Sequence, residues 1–355
     1  MGIREPGLTN SIINRMSNTI AVAVLNWNGK SLLQMYLPGV IKDSIPHKVY
    51  VIDNDSSDDS VAYIKENHPE VTVIQTGKNL GYSGGYNEGL KAIQEPISIL
   101  LNSDVRTTPG WLNPIDEHFD NHPKCAALQP KIRWDRSPEQ FEYAGASGGF
   151  IDRWAYPFCR GRVFGTLEND IGQYNTPREV FWATGACLAV RTDVFKAIGG
   201  LDPMLFAHME EIDLCWRMQR AGFEVWVQPE STVYHLGGAT LSADNPKKTF
   251  LNFRNNLIIV MKNLPHFTAL RVIFIRLILD GLAGIQFLLA GKPKHTFAII
   301  RAHFAFYSKF TGIQRARART AKYPFKRFRD LKGTYPNSVV WQYYSKGKKR
   351  FSDFY

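Results

Sequence analysis

Four apolar runs, each ending in a cluster of polar residues, constrain this chain more than any other feature. "TIAVAVLNW", "HKVYVIDND", "EVTVIQT" and "SILLNSD" read as buried strands. "SSDDSVAYIKENHP" has the cap-rich start and proline end of a helix, and "SGGYNEGLKAIQ" reads as a helix opened by glycines. Strands alternating with helices over short connections imply an α/β fold with a mostly parallel sheet flanked by helices. In such sheets ligands bind outside the carboxyl ends of the strands. Four polar clusters at successive strand ends therefore suggest one crevice.

Downstream, "PGWLNPIDEHFDNHP" reads as helical, and "CAALQPKIRW" as extended. Residues 135–178 are rich in Gly, Pro and aromatics without clear periodicity, and read as irregular loops. "EVFWATGACLAVRT" reads as a strand, followed by a short helix capped by Thr192 or Asp193. "EEIDLCWRMQRAG" reads as a helix ended by glycine, and "FEVWVQPESTVYHLGG" as extended. Three apolar helical patches follow, at about 249–264, 268–290 and 295–310. The implied organisation is an N-terminal extension (1–18), an α/β domain (19–248), a helical region (249–310) and a basic tail (311–355).

The net charge of +11 is concentrated at one end. Residues 291–355 hold 16 Lys and Arg against Asp330 and Asp353, leaving −3 for residues 1–290. A slightly acidic main domain argues against a nucleic-acid binder. A basic tail suits an anionic membrane surface, or a solvated extension. The four cysteines are scattered, which excludes a zinc knuckle and suits a reducing compartment. No basic segment leads into a long apolar run at the N-terminus, so no signal peptide is expected and a cytoplasmic location is.

Asp53 follows an apolar strand and suits hydrogen bonding to a base or ribose, or else a turn. Gly81, Gly84 and Gly85 permit close backbone approach to a ligand, or form a plain loop. Asn102 and Asp104 lie two apart, hence on one side of an extended segment. Their oxygens suit Mg²⁺ or Mn²⁺, or an Asx turn leading to Pro109. Glu210, Glu211 and Asp213 open a helix, where acids cap favourably and where one carboxylate can act as a general base. His235 ends a strand beside two glycines, as a structural residue or a metal ligand.

Taken in order, "VAVLNWNG", "VIDNDSSDDS", "NLGYSGGYNEGL", "LLNSDV", "TGACLAVRTDVFKAIGGLD", "EEIDLCWRMQRAGFEV" and "VYHLGG" resemble a family 2 glycosyltransferase of GT-A fold. They are most similar to bacterial rhamnosyltransferase-like enzymes of surface polysaccharide assembly. The resemblance covers about residues 20–265. It implies that Leu25, Asn26, Trp27 and Asp53 line the base pocket and that Asn79 and Gly81–Gly85 lie near the nucleoside. It implies that Asn102, Ser103 and Asp104 form the acidic motif, with Asp104 and His235 as metal ligands. Thr184, Gly185, Glu210 and Asp213 would border sugar and acceptor, and Glu211 would be the base. Asn102 stands where many relatives have Asp, and Glu210-Glu211 where Glu-Asp is usual. The implied reaction is inverting transfer from a UDP- or dTDP-sugar to a hydroxyl of a glycan or lipid-linked glycan. A nucleotidylyltransferase would need a basic, phosphate-clamping glycine loop that "LNWNGKS" does not supply. A non-catalytic sugar-nucleotide-binding relative would have no need of Asp104, Glu211 and His235 together.

Within residues 269–291, Arg271, Arg276, Asp280 and Gln286 fall on one half of a helix. The other half carries Ile273, Phe274, Leu277 and Leu288. That pattern suits a helix lying in a membrane interface better than one crossing it, or else a face packed on the main domain.

Overall fold

The structure, a computed structural model, describes residues 19–237 and 244–355. The expected N-terminal extension lies outside the described residues. The chain runs β1 (Ile20–Asn26), α1 (Lys30–Ser44), β2 (Lys48–Asp53), α2 (Ser60–Asn67), β3 (Thr72–Gln75), α3 (Gly81–Ala92) and β4 (Ile97–Asn102). There follow β5 (Val105–Arg106), α4 (Asn113–Asn121), β6 (Cys125–Trp134), β7 (Ser137–Phe141), β8 (Gly149–Asp152), β9 (Pro157–Cys159), β10 (Arg162–Val163), β11 (Thr166–Leu167) and β12 (Arg178–Glu179). Then come β13 (Cys187–Arg191), α5 (Thr192–Ile198), α6 (Glu210–Arg220), β14 (Glu224–His235), α7 (Pro246–Asn263), α8 (His266–Leu289), α9 (Pro293–Ser308), α10 (Phe310–Arg319), β15 (Thr334–Tyr335) and α11 (Val339–Ser345).

The central sheet has the order β12-β14-β6-β13-β4-β1-β2-β3. Strands β3, β2, β1 and β4 are parallel, as their helical crossovers require. Strand β13 enters antiparallel between β4 and β6. Alternate residues of β1 serve opposite faces. Ile20, Val22 and Val24 join the core under α1 and α4, while Ala21 and Ala23 join the core shared with α3, α6 and α7.

Several expectations change. Residues 135–178 are not merely loops, since β8 to β11 form a second sheet, completed by β15 from the far end of the chain. Strands of two to four residues are too short to show a period-two pattern. The basic tail is likewise no extension. Leu331, Tyr335, Val339, Phe351 and Phe354 are buried in the main core, and the Val339 amide donates to Asp152 Oδ2 at 2.9 Å. The tail's cations hid this apolar minority from a reading based on net charge.

Helix α7 also belongs to the main core rather than to a separate region, with Leu257, Ile258, Ile259 and Val260 fully buried. Helix α8 reverses the usual polarity. Its Arg276–Asp280 pair is buried inward, at 2.9 Å, with His303 and Tyr156 also bonded to Asp280. Phe274, Leu277, Ile278, Leu282, Ile285 and Leu288 face outward and are exposed. Ile273 is buried, unlike its expected neighbours on the apolar face. At the start of α5, Thr192 makes no cap. Its hydroxyl donates to the Glu95 carbonyl at 2.6 Å.

Candidate active site

The ends of β1, β2 and β4 and the starts of α3 and α6 converge on one crevice. Asn26 and Asp53 end paired strands, and Asn26 Nδ2 donates to Asp53 Oδ1 at 3.0 Å. Asp53 Oδ2 accepts from the Ser56 amide at 3.2 Å. Both residues are buried, and Asn26 Oδ1 has no partner among the described residues. Trp27, in contrast, is half exposed at this rim. Asn54, which no motif singles out, ties the next loop down. Its amide nitrogen donates to Asn79 Oδ1 and the Gly81 carbonyl, each at 3.2 Å, and its oxygen accepts from the Leu80 amide at 3.0 Å. Asn79 Oδ1 also accepts from the Gly81 amide at 2.9 Å, which fixes the entry to α3.

The glycines of that helix make room for close packing. A Cβ on Gly81 would lie 2.6 Å from the Phe206 ring, and one on Gly85 2.7 Å from Leu25 Cδ1. On Gly84 it would meet Leu80 Cβ at 2.6 Å. Leu25 thereby lies against α3, with only partial exposure.

Beyond Asn102 and Ser103 the chain turns into β5, which pairs with the end of β14 and brings His235 beside Asp104. His235 Nε2 lies 3.1 Å from Asp104 Oδ1 and 3.4 Å from Asn102 Nδ2. Its Nδ1 lies 3.4 Å from Glu142 Oε2, a carboxylate that no motif singles out. Burial alone would lower the His235 pKa. The hydrogen bond to Asp104 and the nearby Glu142 outweigh it and push the imidazole up to about 10. Among the described residues no three His, Cys, Asp or Glu side chains gather as a complete metal site. Asp104, His235 and the amide oxygen of Asn102 are nonetheless an oxygen and nitrogen set that fits a hard divalent cation, with positions left for diphosphate oxygens.

The segment 184–186 joins these parts. The Asn102 amide donates to the Ala186 carbonyl at 3.0 Å, and the Tyr82 hydroxyl donates to the Gly185 carbonyl at 2.6 Å. Thr184 does not present its hydroxyl to a ligand. It is buried, donates to the Ala144 carbonyl and accepts from the Ala186 amide. Tyr82 in turn lies close enough to Glu210 and Glu211 for their charge, after burial, to raise its pKa well above the usual value.

Glu210 and Glu211 open α6, and each has one buried carboxylate oxygen without a hydrogen-bond partner among the described residues. Burial raises Glu211 to about 7. Burial and the adjacent Glu211 charge raise Glu210 well above the usual carboxylate range. Asp213 is different and is not an acceptor contact. It is wholly buried, with Lys262 Nζ at 2.7 Å, Arg217 Nε at 2.8 Å and Asn263 Nδ2 at 2.8 Å. Burial would raise its pKa, but Lys262 and Arg217 hold it at about 2. Asp213 thus anchors α7 to α6.

The loop before Glu210 is held in a costly shape. Phe206, His208 and Met209 have φ of 65°, 67° and 71°. Asn255 of α7 clamps them, its Nδ2 lying 3.0, 2.9 and 2.7 Å from the carbonyls of Leu205, Ala207 and His208. Arg254 adds a bond to the Leu205 carbonyl at 3.1 Å. Neither residue stood out in the sequence, because their partners lie about fifty positions away.

Comparison with known proteins bears on the fold and the family. The structure resembles a crystal structure of GalNAc-T7 with UDP, GalNAc and Mn²⁺, with a TM-score of 0.56 and 18% identity, over 72% of this chain and 49% of that one. It also resembles a mannosyltransferase from Pyrobaculum calidifontis in complex with GDP-Man and Mn²⁺, with a TM-score of 0.52 and 12% identity, over 82% and 88%. The shared fold is GT-A. In sequence the chain is 26% identical over 244 residues to an N-acetylglucosaminyl-diphospho-decaprenol L-rhamnosyltransferase of Mycobacterium tuberculosis, covering 63% of this chain and 78% of the relative. It is 23% identical over 230 residues to a dTDP-rhamnosyl transferase of Shigella flexneri, covering 61% and 71%. The family profile "Glycosyltransferase like family 2" matches residues 17–254, well over half of the chain, and the protein belongs to that family.

Proposed function

We propose that the protein is an inverting glycosyltransferase that moves a sugar, a deoxyhexose such as rhamnose among the alternatives, from a UDP- or dTDP-linked donor to a hydroxyl of a lipid-linked glycan in surface polysaccharide assembly. The observation that carries this reading is the pair of carboxylates at the start of α6, Glu210 buried and Glu211 partly so, each with one buried oxygen unpartnered among the described residues and Glu211 raised to about 7. A carboxylate poised near neutral pH suits proton abstraction from an attacking hydroxyl. Glu211 takes that proton as the hydroxyl attacks the anomeric carbon. Burial and the neighbouring Glu211 raise the pKa of Glu210, which disfavours a second negative charge beside the base. The Asn26–Asp53 and Asn54–Asn79 pairs fix the loops around the base, and Trp27 is placed to cover it.

Asp104, His235 and Asn102 would hold Mg²⁺ or Mn²⁺, which when bound neutralises charge developing on the leaving diphosphate. Glu142 behind His235 orients the imidazole, as carboxylate partners of metal-bound histidines do.

The same reading places the protein on the inner face of the cytoplasmic membrane. One helix, His266–Leu289, is long and apolar enough to cross a bilayer by length and composition. Its buried Arg276–Asp280 pair faces the protein and its apolar side faces outward, which suits a helix lying along the surface.

The test is a panel of UDP-, dTDP- and GDP-sugars screened by melting temperature, followed by transfer assays with the donor that stabilises most. One donor class should raise the melting temperature and support transfer with inversion. Retention of configuration in the product, or stabilisation by no sugar nucleotide, would refute the proposal.

A further inference from the structure

A cleft of about 710 Å³ opens between α7, α9 and the loop that leads into Glu210. Three aromatic rings line it, Phe206, Phe250 and Phe297. Among the described residues four cations also line it, Lys247, Arg254, Lys294 and Arg301, and no carboxylate does. None of the four forms an ion pair among the described residues, whereas nearby Lys292 is neutralised by Asp244 at 2.7 Å. Two of them share one ring, the guanidinium carbons of Arg254 and Arg301 lying 5.3 and 5.7 Å from the centre of Phe250. Like charges gathered around one concavity are unfavourable unless an anion completes the set, and a concave cationic surface focuses its field on such a ligand. Guanidinium groups in this setting match phosphate oxygens.

The cleft has two further properties. Its wall residue Phe206 lies against Gly81 at the start of α3, and its carbonyl accepts from the Ser83 amide at 3.4 Å. The cleft and the donor crevice are thus neighbours across one residue. On the other side Lys294, Phe297 and Arg301 lie on one face of α9. Phe297, Phe304 and Ile300 are exposed on α9, which packs against α8, itself apolar and exposed on its outward side. One end of the cleft therefore meets the catalytic loop, and the other meets an apolar surface.

We propose that this cleft is the acceptor site and binds the phosphate or diphosphate of a lipid-linked saccharide. The hydrocarbon chain leaves past Phe297 and Phe304, and the sugar hydroxyl reaches Glu211 past Phe206. This rests on the transferase reading above, and it assigns the acceptor's anionic group to named residues.

The experiment measures binding of farnesyl diphosphate to the full chain, with inorganic pyrophosphate and farnesol as separate arms, and UDP and dTDP binding in parallel. The wild type should bind farnesyl diphosphate at least tenfold more tightly than either arm. Lys294→Glu combined with Arg301→Glu should weaken it tenfold or more. Both residues are exposed, so the melting temperature should hold. Equal affinity for farnesol, or for pyrophosphate, would overturn the assignment, as would a double variant that binds like the wild type. So would a variant released from phosphatidylglycerol vesicles with its farnesyl diphosphate affinity unchanged, because the cations would then serve the membrane surface. Farnesyl diphosphate binding without any nucleotide binding would instead sink the transferase reading and leave the cleft standing.

Discussion

Replacing Asn255 with Ala should uncouple the base from the rest of the site. The side chain is fully buried, and its amide protons are shared among the carbonyls of Leu205, Ala207 and His208. Phe206, His208 and Met209 sit in the left-handed region, at roughly 1–2 kcal/mol each for residues with a Cβ. The loop therefore stores about 3–6 kcal/mol of strain. The clamp offsets it with hydrogen bonds of about 1 kcal/mol each, and its loss leaves buried carbonyls unpaired at about 1–3 kcal/mol each. Without the clamp, strain and unpaired groups act in the same direction, and the loop should relax. Glu210 and Glu211 follow directly, so they should move with it. A displacement near 1 Å costs on the order of 10²-fold in rate. Asn255→Ala should lower kcat by about that factor while nucleotide affinity stays within about threefold. Asn255→Asp is the sharper variant. It keeps the size and the acceptor for Arg254 but turns an acceptor toward three carbonyls, so it should be worse than Ala. Steady-state kinetics with calorimetric nucleotide binding decides the matter. A kcat near wild type for Asn255→Ala, or an Asp variant milder than Ala, would refute the clamp.

Three further outcomes are expected. Glu211→Gln should lose roughly 10²–10⁴-fold in rate with donor affinity retained. The wild-type rate should fall as pH drops through about 7, because Glu211 must be ionised to accept a proton. A crippled Glu210→Gln beside an active Glu211→Gln would move the assignment by one residue. Asp104→Ala should abolish any metal dependence of donor binding, whereas full activity of the wild type in EDTA would show that no divalent ion is needed. Phe274→Glu with Leu277→Glu, both on the outward side of α8, should reduce sedimentation with anionic vesicles at low salt; unchanged sedimentation would remove the membrane role of that face. Truncation near residue 290 is a poor version of this last test, since Tyr335, Phe351 and Phe354 lie in the main core.

Much of the scaffold is local information. The strand ending in Asn26, its partner ending in Asp53, and the strand ending in Asn102 follow from runs of alternating or continuous apolar residues, each stopped by polar ones. The start of α6 at Glu210 is legible for the same reason, as are the limits of α7 to α9 to within a few residues. What tertiary structure alone decided is which polar groups remain free for chemistry. Asp213 looks like its neighbour Glu211 in the sequence, yet Lys262 and Asn263, some fifty positions on, neutralise it. Glu142 becomes His235's partner only because β7 turns back antiparallel on the end of β6, the strand beside β14. The fold-back of the tail, through Val339 to Asp152 and Phe351 to Glu168, joins residues more than 180 positions apart. Periodicity reports the face on which a side chain lies within its own element. It carries no term for what another element brings opposite that face, and for a buried charge that partner decides between an anchor and a reactive group.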